Sequence, residues 1–211
     1  MPRGRGLRDK KRQQTRDALS QAAIRLFAER GFDAVTVAEV AAEANVSPKT
    51  AFNYFPNKED LVLERRQEIE IELLLDIRQR PPGEAVIATV RRHTLRVAAQ
   101  MNEVDPERRR AFRKVIESSP TIHARLRQLS LTTEQALAQM LVQDTGAGPH
   151  DPTPMVVATA LGFLARLAYG VPGWPVGGAD NFDQMVEGIN AAFDAFEAGF
   201  SNYADKRNQA K

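Results

Sequence analysis

Apolar residues recur at helical spacing through almost the whole chain, and no stretch alternates with a period of two between turn residues. That pattern predicts helices throughout and no sheet. Leu19, Ala23, Leu26 and Phe27 form a stripe on a first helix over about Thr15 to Arg30, with Gly31 as its stop. Thr36 and Glu39 have the spacing of a capping box ahead of Val37, Val40, Ala41 and Ala44, which predicts a second helix ending at Asn45. Asn45 tolerates the left-handed conformation of a tight turn, and Val46 follows it into the core. Ser47 caps a third helix, with Pro48 at its first position. Pro56 disfavours helix at Phe55, so this third helix has about two turns.

Asn57 caps a fourth helix from about Lys58 to Arg80, with Leu61, Ile69, Leu73 and Ile77 as its stripe. Further helices are predicted at about 83–103, 106–118, 120–144, 154–170 and 182–200. Pro106, Pro120 and Pro154 sit near their starts. The expectation is an all-α chain of about nine helices. Two domains are expected: residues 1–57 as a basic arm with a helix-turn-helix, and residues 58–211 as a helical domain. The helix at about 58–80 links them.

The third helix is unusual because it lacks a broad apolar stripe. A helix so short does not hold itself together. It makes sense when Ala51 and Phe55 face inward and the opposite face is kept for a ligand. Lys49, Thr50 and Asn53 then face outward, as the recognition helix of a helix-turn-helix does in the DNA major groove. Lysine suits guanine acceptors, asparagine pairs with adenine, and the threonine methyl meets the thymine methyl. Thr36, Ser47 and Lys58 lie at helix starts, where an anion is favoured, and Tyr54 adds a hydroxyl; these are the expected phosphate contacts.

Charge sharpens this picture. The 211 residues carry a net charge of +2. Residues 1–16 hold seven basic side chains against Asp9 alone, while the rest hold 22 basic against 26 acidic. Arg3, Arg5, Arg8, Lys10, Lys11 and Arg12 thus form an arm suited to a polyanion, along the backbone or in the adjacent minor groove. There is no cysteine, and the three histidines show no metal-ligand spacing. No metal, cofactor or enzymatic activity is expected. No apolar run is long enough for a membrane span, and a cytoplasmic location is expected.

The segment from about Arg16 to Leu63 resembles the TetR family of transcriptional regulators. "LFAERGFDAVTVAEVA", "NVSPKT" and "FPNKEDL" carry the resemblance. It implies an all-helical homodimer, a repressor on a palindromic double-stranded DNA operator, released by a small effector. A DNA-binding regulator without an effector is the nearer alternative; a helical enzyme or scaffold is the more distant one. The chain departs from the family pattern at Asn45, where a glycine is usual, and at Pro48 and Lys49. Phe52 stands in place of a frequent tyrosine, so a phosphate-contacting hydroxyl is missing there.

Beyond the fourth helix, "RPPGEAV" and "DPERRRAFRKVIESSPTIHARLRQ" resemble an actinobacterial branch that includes mycofactocin-type regulators. A hydrophobic or amphipathic effector is implied. His93, Arg96, Val97, Met101, Phe112, Ile116, Leu126, Phe163, Arg166 and Tyr169 are candidates for its pocket. Arg166 lies on a nearly all-apolar helix and needs an acidic partner or ligand. Leu161, Phe182, Met185, Ile189, Phe193 and Phe196 are expected at the dimer interface, through the last two helices. Trp174, in a Pro/Gly loop, is expected to cover the pocket or the seam.

Overall fold

The computed structural model describes residues 3–169 and 182–208. Trp174 and its loop lie outside them. The described residues form α1 (Arg3–Arg30), α2 (Val37–Glu43), α3 (Pro48–Tyr54), α4 (Asp60–Arg78), α5 (Val86–Asn102), α6 (Pro106–Ser118), α7 (Pro120–Thr145), α8 (Thr153–Arg166) and α9 (Phe182–Asn208). A 3-10 turn, Leu167–Tyr169, follows α8, and no strand occurs among the described residues. The all-α expectation holds. The largest differences in length are that α1 starts at Arg3, so the basic arm continues the helix, and α9 runs eight residues further; α4 begins at Asp60, past the expected Asn57 cap, and α5 at Val86.

The chain divides into two compact units. The first comprises residues 1–68 and 105–128; the second comprises 69–104 and 129–211. Chain order therefore does not give the division as a single cut after residue 57. The reason is packing. Leu61, Val62 and Leu63 of α4 join the core built from Leu19, Ala23, Phe27, Val40, Ala51 and Phe55. Val115 of α6 and Ile122 of α7 are wholly buried in that same core. The rest of α4 and α7 supplies Ile69, Leu73, Ile77, Leu137 and Leu141 to the second core, with Val90, Val97, Ala158 and Leu164.

The helix ends follow local chemistry. The Thr36 hydroxyl accepts the Glu39 N–H at 3.2 Å, and the Glu39 carboxylate accepts the Thr36 N–H at 2.8 Å, completing the capping box. The Ser47 hydroxyl accepts the Thr50 N–H at 3.1 Å. Pro48 follows at the first helical position. Between these helices Asn45 has φ 56°, the left-handed conformation expected of it.

Asn45 is therefore a pivot of the turn that joins α2 to α3. Asn45→Val should destabilise the first unit by about 1–2 kcal/mol, because a β-branched side chain crowds its carbonyl there. Asn45→Gly should leave stability near that of the wild type. Urea melts of the two variants check this, and equal losses would contradict the strained-turn account.

Candidate nucleic-acid interface

Helix α3 has seven residues and two unlike faces. Ala51 and the following Phe55 are buried against α1, α2 and the start of α4. Pro48, Lys49, Phe52 and Asn53 are exposed on the other side. Phe55 is sealed from above by Arg16, whose guanidinium lies 5.6 Å from the ring centroid and pairs with Glu64. Burying a phenylalanine contributes roughly 1.5–3 kcal/mol. So the brace behind α3 is apolar and fixed, while its front is open and sets Lys49 and Asn53 beside the Phe52 ring.

The expected base-contact residues fall as follows. Lys49 and Asn53 are exposed. Thr50 is half-buried, and its hydroxyl lies 2.8 Å from that of Ser47. One hydroxyl of this pair donates to the other, so one proton is left over. It can be offered to a phosphate at the head of α3.

The remaining phosphate candidates separate. Thr36 is already engaged: its N–H and its hydroxyl both donate to Glu39 Oε2, each at 2.8 Å. Arg30 donates to the other oxygen of the same carboxylate at 2.7 Å. The Thr36 N–H, then Arg30 and the Thr36 hydroxyl, lower the Glu39 pKa from 4.5 to about 2. A carboxylate of the protein's own thus stands where Thr36 was expected to meet phosphate, and like charge disfavours that contact. Tyr54 is half-buried and packs against the first core. The Lys58 ammonium sits 4.3 Å from the Phe32 ring centroid and 5.5 Å from that of Phe27. Those two rings meet edge to face, centroids 5.0 Å apart. Lys58 is therefore parked on the aromatic surface beside the start of α4.

In the arm, Arg8, Lys10, Lys11 and Arg12 are exposed, and the backbone is helical from Arg3 onward. The side chains of Arg3 and Arg5 lie outside the described residues. A larger charge pattern emerges from the two units. The first holds 20 basic side chains against 13 acidic; the second holds 9 against 14. The basic stretch 105–128, seven against three, belongs to the unit that carries α3. Chain order alone hid this.

The second unit holds most of the pocket candidates. His93 is 1% exposed and Val97 is wholly buried. His93 Nδ1 lies 2.8 Å from Asp76, which Arg96 also reaches at 2.8 Å. Burial lowers the His93 pKa and outweighs the hydrogen bond from Asp76. For Asp76, burial pushes upward, but His93 and Arg96 prevail and hold the carboxyl below its ordinary value. The consistent state is a neutral imidazole donating Nδ1–H to Asp76. Its buried Nε2 has no hydrogen-bond partner. Arg96 is exposed, and Met101 and Tyr169 pack against the second core. Phe112, Ile116 and Leu126 instead pack against the first core, so the ten candidates are not gathered in one unit.

Arg166 has the acidic partner it needs: Glu134 of α7, at 2.8 Å, a pairing no spacing in the sequence signalled. Gly162 makes room for it, since a Cβ there would lie 3.0 Å from Glu134 Cγ. Phe163 is exposed, with Arg166 at 6.0 Å from its ring centroid.

The expected interface residues need a correction. Leu161, Ile189 and Phe193 are buried in the second core and would offer a partner no surface. Phe182, Met185 and Phe196 are half-buried against that core. The wide stripe on α9 is explained by α5 and α8, against which it packs. Arg91 of α5 reinforces the contact, 5.3 Å from the Phe193 ring centroid and 2.6 Å from Asp194. Exposed apolar residues include Met155, Val156 and Phe163 on one side of α8, besides Ile71 and Leu75 of α4 and Leu131 and Val142 of α7.

Two short helices joined by a left-handed turn, braced by a third and leaving the second with an open polar face, define a helix-turn-helix protein. Residues 19–64 match the family described as bacterial regulatory proteins, tetR family. The chain is 30% identical over 155 residues to the HTH-type transcriptional regulator TcmR of Streptomyces glaucescens, covering 71% of this chain and 69% of that protein. It is 25% identical over 202 residues to MftR of Mycobacterium tuberculosis, whose name assigns it to regulation of mycofactocin biosynthesis; 95% of this chain and 96% of that one are covered. A TetR-family regulator from Streptomyces coelicolor A3 matches in structure with a TM-score of 0.53 and 26% identity, over 87% of this chain and 94% of that one. The chain belongs to the tetR family: it is a DNA-binding transcriptional regulator, not an enzyme.

The capping box offers a test by pH. The folded Glu39 pKa is the lower one, so its contribution is complete above about pH 4.5 and is lost as pH falls toward 2. Glu39→Gln should flatten the fall in stability across that window. Denaturant melts at about pH 5 and about pH 3 measure it; identical slopes for wild type and variant would contradict the assignment.

Proposed function

We propose that this regulator binds a two-fold symmetric DNA operator as a homodimer, represses from it, and is released by a small, hydrophobic or amphipathic effector. The observation that carries the DNA reading is the outward placement of Lys49 and Asn53 on a helix whose opposite face is buried. Asn53 pairs with adenine, Lys49 with guanine, and the Ser47–Thr50 hydroxyl pair takes a phosphate. Arg8, Lys10, Lys11 and Arg12, with Arg3 and Arg5 beyond them, add salt-dependent affinity. The protein works in the cytoplasm, where its DNA lies.

Support for dimerisation comes from α8. Met155, Val156 and Phe163 are 46%, 55% and 44% exposed on a helix whose other face packs into the second core. A second copy would cover them in a two-fold contact in which the same patch serves both partners. Small exposed residues on α9, among them Gly188, Ala191 and Ala195, allow a close approach beside it. Support for an effector comes from His93. A buried imidazole nitrogen without a partner is costly, and an effector hydroxyl or N–H would satisfy it. Helices α4 and α7 each contribute to both cores, so a shift in one unit has a continuous route to the other. An effector releases the DNA only by binding the two states unequally.

Selection of bound duplexes from a random pool tests the central reading. A two-fold symmetric sequence should emerge, and Asn53→Ala should lose about 1–3 kcal/mol on it while random duplex binding stays unchanged. A variant that binds both as the wild type does would remove Asn53 as a base reader. Sedimentation of Phe163→Asp should show monomer where the wild type shows dimer; a dimer of undiminished stability would put the interface elsewhere.

A further inference from the structure

The open face of α3 contains one residue that the polar account does not use. Phe52 is 50% exposed. It belongs to neither core, and among the described residues no ring or cation stacks on it. It lies three residues after Lys49 and one before Asn53, so Phe52 and Lys49 are neighbours on the helix surface. A phenyl ring has no donor and cannot hold a phosphate oxygen. The one apolar feature a base pair shows in the major groove is the C5-methyl group of thymine, and phenylalanine is among the side chains that meet it.

We propose that Phe52 is a specificity-determining residue that reads a thymine methyl in each half-site, next to the base pairs contacted by Lys49 and Asn53. The inference rests on α3 lying in the major groove. Thr50 is the rival reader. Its side chain is half-buried and its hydroxyl is tied to Ser47, whereas the Phe52 ring is free on the same helix. Phe52 therefore carries the methyl contact, and Thr50 serves the phosphate.

The experiment replaces each thymine of the selected duplex, one at a time, by deoxyuridine, which removes the methyl group and keeps every hydrogen-bonding group. At one position per half-site the wild type should bind about four-fold more weakly, the worth of one buried methyl. Phe52→Ala should bind the thymine and deoxyuridine duplexes equally at that position, while keeping its dependence on the adenine read by Asn53. Circular dichroism shows that the variant is folded. A wild type indifferent to deoxyuridine at every position overturns the inference without any mutation. So does a sensitivity that survives in Phe52→Ala and vanishes in Thr50→Ser. In both cases tight, Asn53-dependent binding leaves the DNA reading standing. Failure to select any sequence over random duplex would remove both.

Discussion

The open face of α3 depends on the burial of Ala51 and Phe55 behind it. A seven-residue helix has too few internal hydrogen bonds to offset the cost of nucleation. It exists because its back is pressed into a core shared by α1, α2, α4, α6 and α7. The caps then decide where it begins and ends. Ser47 and Pro48 start it, and Pro56 sets the backbone of Phe55 outside it. With both ends and one face fixed, the orientation of Lys49, Phe52 and Asn53 is fixed as well. Their side chains remain free to adjust, but the rod that carries them does not.

Helices α4 and α7 are long enough to enter both cores. Helix α6 packs wholly with the DNA-facing unit, although it follows α5 of the other in the chain. The chain thus passes from one unit to the other within α4, near residue 104, and within α7. The charge follows this folded division, with the basic surplus on the unit that carries α3.

Much of the first unit was legible in the sequence because its determinants are local. The Thr36–Glu39 box, Asn45, Ser47–Pro48 and Phe55–Pro56 each act within four residues, and all appear as read. Lys49 and Asn53 followed from knowing that Ala51 and Phe55 face inward. The rest was illegible because it depends on distant partners. Nothing local says that Glu134 meets Arg166, or that Asp76 fixes His93. The apolar stripe on α9 could serve a core or a partner, and helical spacing is the same in both cases; Ile189 and Phe193 are buried in the core, while Phe182, Met185 and Phe196 stay partly open. At Thr36 the capping box that marks the helix start also places the Glu39 carboxylate beside it, which the local pattern alone did not weigh.

The most direct measurement of the central claim is chemical protection of guanine N7, which lies in the major groove, on a duplex bound by the full chain. The account predicts protected guanines in two patches on one face, centred about one helical turn apart (~10 bp), and weakened protection of the guanine read by Lys49 in Lys49→Ala. Guanines left unprotected on a duplex saturated with protein, or protection unchanged in that variant, would contradict it.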